Sequence, residues 1–462
     1  MSDIDWKSVE EEAVALLQDL LRIDTTNPPG DEIKAVRHVA GVLARAGIAC
    51  EVFEPFPGRG SLVTRVGPGG GNDLEEALLM HGHLDVVPAE PKQWRFPPFS
   101  GELADGCVWG RGAVDMKGIV AMQLMVALLV HRGAITLKRP LKLAWTADEE
   151  EGGGCGMAWI AANRPDVLHA RYAIGEVGGF SMALPGGRRA YPIGVAEKGL
   201  AWVKVTVSGE PGHGSMPQLH ARQNAVARLA AGVDRLQRRG LEYRLTPVVR
   251  QFLDEMAAVQ PRPSGWVLGL LKHRRLARAV LRHVIPDPGR ARALHAALHD
   301  TATPTVLNAG VGGNPETGRG KPNLIPSTAS VVLDGRTLPG TTTDSFLRQL
   351  RRVFGDDAEY EVIHSAQPTS APTTTRLYDL MVATLQAEDE AAVPLPNLVV
   401  GFTDAKHIAQ LGVDCYGFAP MKLPDDLNFA RMFHGHDERL PVSSLMFGIR
   451  ALLRLVQRAL GE

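Results

Sequence analysis

Ala77-Leu78-Leu79-Met80-His81-Gly82-His83-Leu84-Asp85 is the stretch that decides the fold. The apolar run 77–80 reads as a short strand, and just after it His83 and Asp85 stand two residues apart, pointing the same way. Apolar runs at 61–66, 141–146 and 171–174 read as further strands. Helical spacing appears at 7–22, where Val9, Ala13, Leu16, Leu17, Leu20 and Leu21 recur before Asn27-Pro28-Pro29-Gly30 stops the pattern. Other helices are expected from about 32 to 46, ending at Gly47, over 116–131 and near 156–162. Strands alternating with helices predict an α/β fold with a mostly parallel, helix-covered sheet. Ligands in such sheets gather at the carboxyl ends of the strands. His83 and Asp85 follow one strand, Glu149 and Glu150 follow Leu141–Trp145, and Glu176 follows Tyr172–Ile174.

The texture changes near residue 197. Gly199–Val207 reads as an alternating strand, Gly209-Glu210-Pro211-Gly212 as a turn, and Asn224–Arg238 as an amphipathic helix. A Pro- and Arg-rich, mostly helical stretch covers about 248–300. Strands return at 304–310 and 327–336, a helix at 343–354 and a strand at 358–364. This α+β block has the character of an insertion, because Asp404, His434 and a final helix (about 441–459) come after it. The expected domains are therefore 1–196 with 365–462, and 197–364.

Bulk properties exclude several classes. The chain has 462 residues, long for one core. Its net charge of −1 leaves no call on nucleic acid or an anionic membrane surface. The start, Met1-Ser2-Asp3-Ile4-Asp5-Trp6, lacks the pattern of a signal peptide. The longest apolar stretch, Ile119 to Val130, contains Gln123 and is too short to span a bilayer. Cys50, Cys107, Cys155 and Cys415 are scattered, which argues against a disulfide framework and for a reducing, cytoplasmic setting.

Five short stretches carry chemistry: His81–Asp85, Asp115-Met116-Lys117-Gly118, Asp148-Glu149-Glu150-Glu151, Gly175-Glu176 and His434-Gly435-His436-Asp437-Glu438. Together they offer two histidines and three carboxylates for a pair of divalent metals, with one carboxylate left over as a general base. Each has a plainer reading. His81–Asp85 alone is equally a turn with one surface histidine, although a carboxylate at this spacing can also hold the second ring nitrogen of a ligand histidine. His81 is assigned to the surroundings of that ligand. Asp115 alone reads as a helix N-cap. Asp148–Glu151, followed by Gly152-Gly153-Gly154, is hard to explain as a solvated face, and neighbouring carboxylates there can divide metal binding from proton transfer. Glu176 and the His434 loop gain weight only from the set.

With these motifs in order, the chain resembles the M20 family of metallopeptidases and amidohydrolases, nearly end to end. The resemblance implies a di-zinc catalytic domain with an inserted, smaller α+β lid and dimerisation domain, hence a homodimer. It makes His83 and Glu176 ligands of one metal, Asp115 the bridge, and Glu150 and His434 ligands of the second. Asp85 would orient His83, Glu149 would be the general base, and Glu151 falls at a variable position. In the lid, His213 of Gly212-His213-Gly214-Ser215 is similar to the residue that polarises the scissile carbonyl, often in the other subunit. Asn323 of Asn323-Leu324-Ile325-Pro326 would assist it, and Arg336 of Asp334-Gly335-Arg336 would grip a substrate carboxylate. Thr403, in Gly401-Phe402-Thr403-Asp404, would line the carboxylate subsite.

Glu at position 176 is similar to relatives acting on N-acyl amino acids or C-terminal residues. The 248–300 stretch is similar to the carboxypeptidase S branch rather than to the biosynthetic deacylases (acetylornithine or succinyl-diaminopimelate). The expected substrate is a short peptide or N-acyl amino acid with a free carboxylate; a metal-dependent dipeptidase or aminopeptidase, or a biosynthetic deacylase, is the alternative. Cobalt or manganese suits the ligand set as zinc does. A Ser-His-Asp hydrolase is disfavoured because no Gly-x-Ser-x-Gly elbow occurs, and a catalytically dead binding protein because every motif position is intact.

Overall fold

The computed structural model describes residues 4–68, 76–311, 320–425, 427 and 431–461; Met1, Ser2 and Asp3 of the amino-terminal stretch lie outside them. Asp5 opens the first helix, Trp6–Arg22, by accepting the backbone N–H groups of Lys7 and Ser8. Its apolar stripe, from Val9 to Leu21, is buried as the spacing predicts. The Ile33–Ala46 helix ends where Gly47 takes the left-handed conformation, φ +80°.

By spatial clustering the chain divides into two compact units, Met1–Val195 with Ser370–Asn397 and Thr403–Glu462, and Ala196–Thr369 with Leu398–Phe402. In the first, the strands Leu141–Thr146, Leu78–His83, Tyr172–Gly175 and Asp414–Gly417 run parallel in that spatial order. Arg59–Val66 pairs antiparallel on the outer side of Leu141–Thr146, and Cys50–Phe56 antiparallel beyond it. The sheet is thus α/β with a parallel centre and an antiparallel edge. The Lys117–His131 helix is buried from Lys117 to Val130, and the closing helix Val442–Leu460 also buries most of its length. Among the described residues no helix is long and apolar enough to cross a membrane.

The second unit holds a four-stranded antiparallel sheet in the order Thr301–Ala309, Thr328–Thr337, Gly199–Ser208, Glu359–Ala366. Val203, Val205, Val331 and Leu333 alternate inward and pack with Leu229, Phe346 and Leu350 of the helices Ala225–Arg239 and Thr343–Phe354. The 248–300 stretch forms the helices Pro247–Val259, Ser264–Leu270, Arg274–His283 and Pro288–Leu298, with a separate core around Leu253, Leu271, Val280 and Leu298. Residues 365–369 and Leu398–Phe402, placed with the first domain on sequence grounds, group with this second unit. Lys198 N–H donates to Val399 O (3.0 Å), Leu398 joins the helical core, and the strand that ends at Ala366 pairs with Leu200.

The glycine of Asp334-Gly335-Arg336 has a packing cause. A Cβ at Gly335 would lie 2.3 Å from Ala201 O and 2.5 Å from the Phe346 ring. Gly335→Ala is expected to destabilise this unit by about 1–3 kcal/mol, the range for overpacking a close contact; a urea midpoint equal to wild type would refute it.

Candidate metal centre

The carboxyl ends of the parallel strands bring three of the acidic stretches together. His83 ends its strand, and Glu149 and Glu150 lie on a 3-10 turn just beyond Leu141–Thr146. Glu176 follows Tyr172–Gly175. The 3-10 turn begins at Asp148 (φ +72°) and ends at Gly152 (φ +106°), so a glycine is needed where the chain leaves it.

The donor atoms fall into two groups that share one carboxylate. His83, Asp115 and Glu176 form one group, and Asp115, Glu150 and His434 the other, with ligand atoms within 4.8 Å of each other in each. His83 Nε2 lies 3.2 Å from Asp115 Oδ1 and 3.8 Å from Glu176 Oε2. His434 Nε2 lies 3.3 Å from Asp115 Oδ2 and 3.2 Å from Glu150 Oε2. His83 Nδ1 faces Asp85, 3.0 Å from its backbone oxygen and 3.4 Å from Oδ1. That contact suits Nδ1–H as donor and leaves the Nε2 lone pair toward Asp115 and Glu176.

Asp85 does more than face a histidine. It is fully buried and accepts the backbone N–H of Glu149 on Oδ1 and of Glu150 on Oδ2, both at 3.1 Å. The Asn27 amide donates to Asp85 Oδ2 (2.9 Å) and to Asp148 Oδ1 (3.2 Å). Arg59 donates to the same Asp148 oxygen (2.8 Å) and to Glu32 (2.7 Å). Asn27, Glu32 and Arg59 carried no site assignment in the sequence, and Asp148 none beyond its place in the Asp148–Glu151 stretch; Asn27-Pro28-Pro29-Gly30 reads there only as the stop of the first helix.

Charge in this pocket is out of balance. Burial pushes the Glu149 carboxyl well above its ordinary range, and the neighbouring Glu176 charge adds to it. Glu176 is pushed up to about 7, chiefly by burial, and Glu150 is raised for the same reason. Hydrogen bonds to Asp115 and Glu150 lift His434 to about 10. Glu150 Oε1 is buried without a hydrogen-bond partner among the described residues. Several acceptors and a deficit of positive charge are what a cation site presents, and histidine nitrogen with carboxylate oxygen suits zinc, cobalt or manganese.

His81 stands apart from these groups. It is fully buried, its Nε2 has no hydrogen-bond partner among the described residues, and burial lowers it to about 4. Its ring occupies the space a side chain at Gly175 would need, 2.3 Å from that Cβ position.

The remaining expected residues lie as follows. In the second unit, Gly212-His213 pairs antiparallel with Leu324-Ile325, and Gly214 N–H donates to Asn323 O (2.8 Å), so His213 and Asn323 share one corner. Both His213 and its neighbours are exposed; its Nδ1 lies 2.7 Å from Ser215 Oγ. Arg336 forms a two-point contact with Asp334 (2.8 and 3.2 Å), and its guanidinium lies 4.8 Å over the Phe402 ring. Thr403, in the first unit, is buried, and its hydroxyl accepts Ala405 N–H (3.1 Å).

The profile of peptidase family M20/M25/M40 matches residues 79–458, and the chain belongs to that family. It is 28% identical over 395 residues to a probable carboxypeptidase S-like protein of Dictyostelium discoideum, covering 80% of this chain and 70% of the relative. It is 25% identical to aminoacylase-1 of Sus scrofa over 97% of this chain and 95% of that one. A solved M20 metallo-carboxypeptidase of Sulfolobus solfataricus shares the fold, with a TM-score of 0.68 at 18% identity, over 97% and 99% of the two chains. The protein is accordingly a hydrolase of amide bonds, of the peptidase and aminoacylase type.

If the two groups are metal sites, chelator-stripped wild type should take up two equivalents of Zn²⁺ and His434→Ala one fewer. Full stoichiometry in His434→Ala, measured by calorimetric titration, would remove His434 from the ligand set.

Proposed function

We propose that this protein is a di-zinc hydrolase that cleaves the amide bond of short peptides or N-acyl amino acids bearing a free carboxylate. The observation that carries the reading is the pair of donor groups joined through Asp115, with a further buried carboxylate, Glu149, on the same turn as Glu150. His83, Glu176 and Asp115 would hold one cation, and Asp115, Glu150 and His434 the other. Two such cations supply polarisation of the scissile carbonyl and acidification of a water.

The chain's own residues do the rest. Glu149, raised by burial, accepts the proton of the attacking water and returns it to the leaving amine. Asp85 keeps His83 in the tautomer that offers Nε2 and fixes the backbone under Glu149 and Glu150. His213 and Asn323 stabilise the oxyanion, help that preorganised donors give most effectively. Arg336 anchors the substrate carboxylate, its guanidinium already held in plane by Asp334, and Thr403 lines the same subsite. The chain's likeness to a carboxypeptidase S-like protein and to an aminoacylase supports a carboxylate-bearing substrate.

The second unit would act as lid and dimerisation domain. An exposed edge strand, Thr301–Ala309, with Val306 and Leu307 in solvent, and the exposed His213 loop support a homodimer. Four cysteines that form no disulfide among the described residues support a cytoplasmic setting.

Glu149→Gln should lose at least about 10²-fold in kcat, the usual scale of a general base, and still bind two metals; a near wild-type rate would overturn the assignment. Hydrolysis of N-acyl amino acids, free dipeptides and their amidated counterparts tests the substrate class. Chelator-sensitive activity that vanishes on amidation is expected. Activity that survives amidation and needs a free amine would move the enzyme to the aminopeptidase side.

A further inference from the structure

We infer that Glu438, together with Arg111, is a positioning residue pair that ties the bridging-carboxylate loop to the His434 loop, an inference that rests on the two-metal reading above. Glu438 closes the His434–Glu438 stretch and is not one of the groups assigned to the metals. It is wholly buried. Its Oε1 accepts the backbone N–H of Val114 (2.7 Å) and of Asp115 (3.0 Å). Its Oε2 accepts Gly112 N–H (3.0 Å) and Arg111 Nη1 (2.7 Å). Four donors engage the lone pairs of this carboxylate, so its role is to hold backbone rather than to coordinate. What it holds is the Gly112–Asp115 segment, whose last residue belongs to both donor groups.

Arg111 carries the connection to the other side. It is 2% exposed, and while Nη1 binds Glu438, Nη2 donates to Gly435 O (2.9 Å), the residue after His434. Its guanidinium lies 5.2 Å over the Trp94 ring. The His434 loop needs such restraint, because His434 and Asp437 both have φ +56°, a conformation that costs a non-glycine residue free energy. Asp437 is tied as well, accepting Arg95 N–H at 2.7 Å. One guanidinium and one carboxylate thus set the position of Asp115 from behind and of His434 from beside it. A buried ion pair is weak evidence for stability in itself. Here Glu438 spends its remaining hydrogen bonds on the backbone of the Gly112–Asp115 segment, and Arg111 Nη2 donates to Gly435 O and, at 3.4 Å, to Pro88 O.

The two residues predict different defects. Glu438→Gln keeps the shape, but its amide NH₂ must face two N–H donors, so the Asp115 loop shifts and both metal sites weaken. Arg111→Lys keeps the charge beside Glu438 but cannot also span to Gly435 O, so only the Glu150 and His434 site weakens. The expected loss is about 10–100-fold in affinity, the scale for groups that orient ligands. The experiment is calorimetric titration of chelator-stripped wild type and both variants with Zn²⁺, beside thermal unfolding of the same metal-free samples.

Selective weakening of one equivalent in Arg111→Lys, with the metal-free midpoint near wild type, supports the pair. Unchanged affinities in Arg111→Lys would overturn it, as would a lowered metal-free midpoint with both affinities intact, which is a purely structural role. If Glu438→Gln does not fold, Arg111→Lys alone decides. Wild type taking up no Zn²⁺ would sink the two-metal reading and this inference with it, whereas two wild-type equivalents with unaltered variants would sink this inference alone.

Discussion

The Asp85 carboxylate is the constraint on which the rest of the site depends. It is buried at the end of the central parallel strands and meets three separate segments: its own strand through His83, the turn of Glu149 and Glu150 through two backbone N–H groups, and the first loop through Asn27. A buried carboxylate is tolerable only when its oxygens are fully occupied. The same hydrogen bonds that occupy them fix the imidazole's ring orientation and the direction in which Glu149 and Glu150 leave the sheet. Removing that charge would therefore disturb one nitrogen and two carboxylates at once.

Around this point the fold gathers more negative charge than folding alone would favour. Glu149, Glu150 and Glu176 are all held above their ordinary carboxyl range, burial being the largest cause for each. Opposite charge comes from behind, from Arg59 on Glu32 and Asp148 and from Arg111 on Glu438, and Lys406 acts on Glu149 without offsetting its burial. The front of the pocket keeps its deficit. That arrangement fits a site whose electrostatics are completed by cations, in a family whose chemistry is amide hydrolysis.

Much of the architecture was legible because strong periodicity carries it. The helices at 6–22, 117–131, 225–239 and 343–354 and the strands at 78–83, 141–146 and 199–208 lie close to where their apolar patterns put them. Other elements were not legible. Cys50–Phe56 mixes Glu, Cys and Pro, and exposes much of one face at the sheet edge. Asp414–Gly417 is four residues long, too short for a pattern. That Arg59–Val66 runs antiparallel could not be read either, since strand direction depends on the path between strands and not on composition.

Residue type and local periods of two and 3.6 are enough to say which side chains are available for chemistry and where along the chain each strand releases them. Which of those side chains meet at one carboxylate is settled by the packing of the chain alone. Asp115 stands between His83 and His434, more than 300 residues apart in the chain, because the parallel strands and the Glu438 loop converge there. The contributions of Asn27, Arg59 and Arg111 were decided at the same level. A hydrogen bond to a residue distant in the chain leaves no mark on the spacing of its donor, so nothing local distinguishes such an arginine from one in solvent.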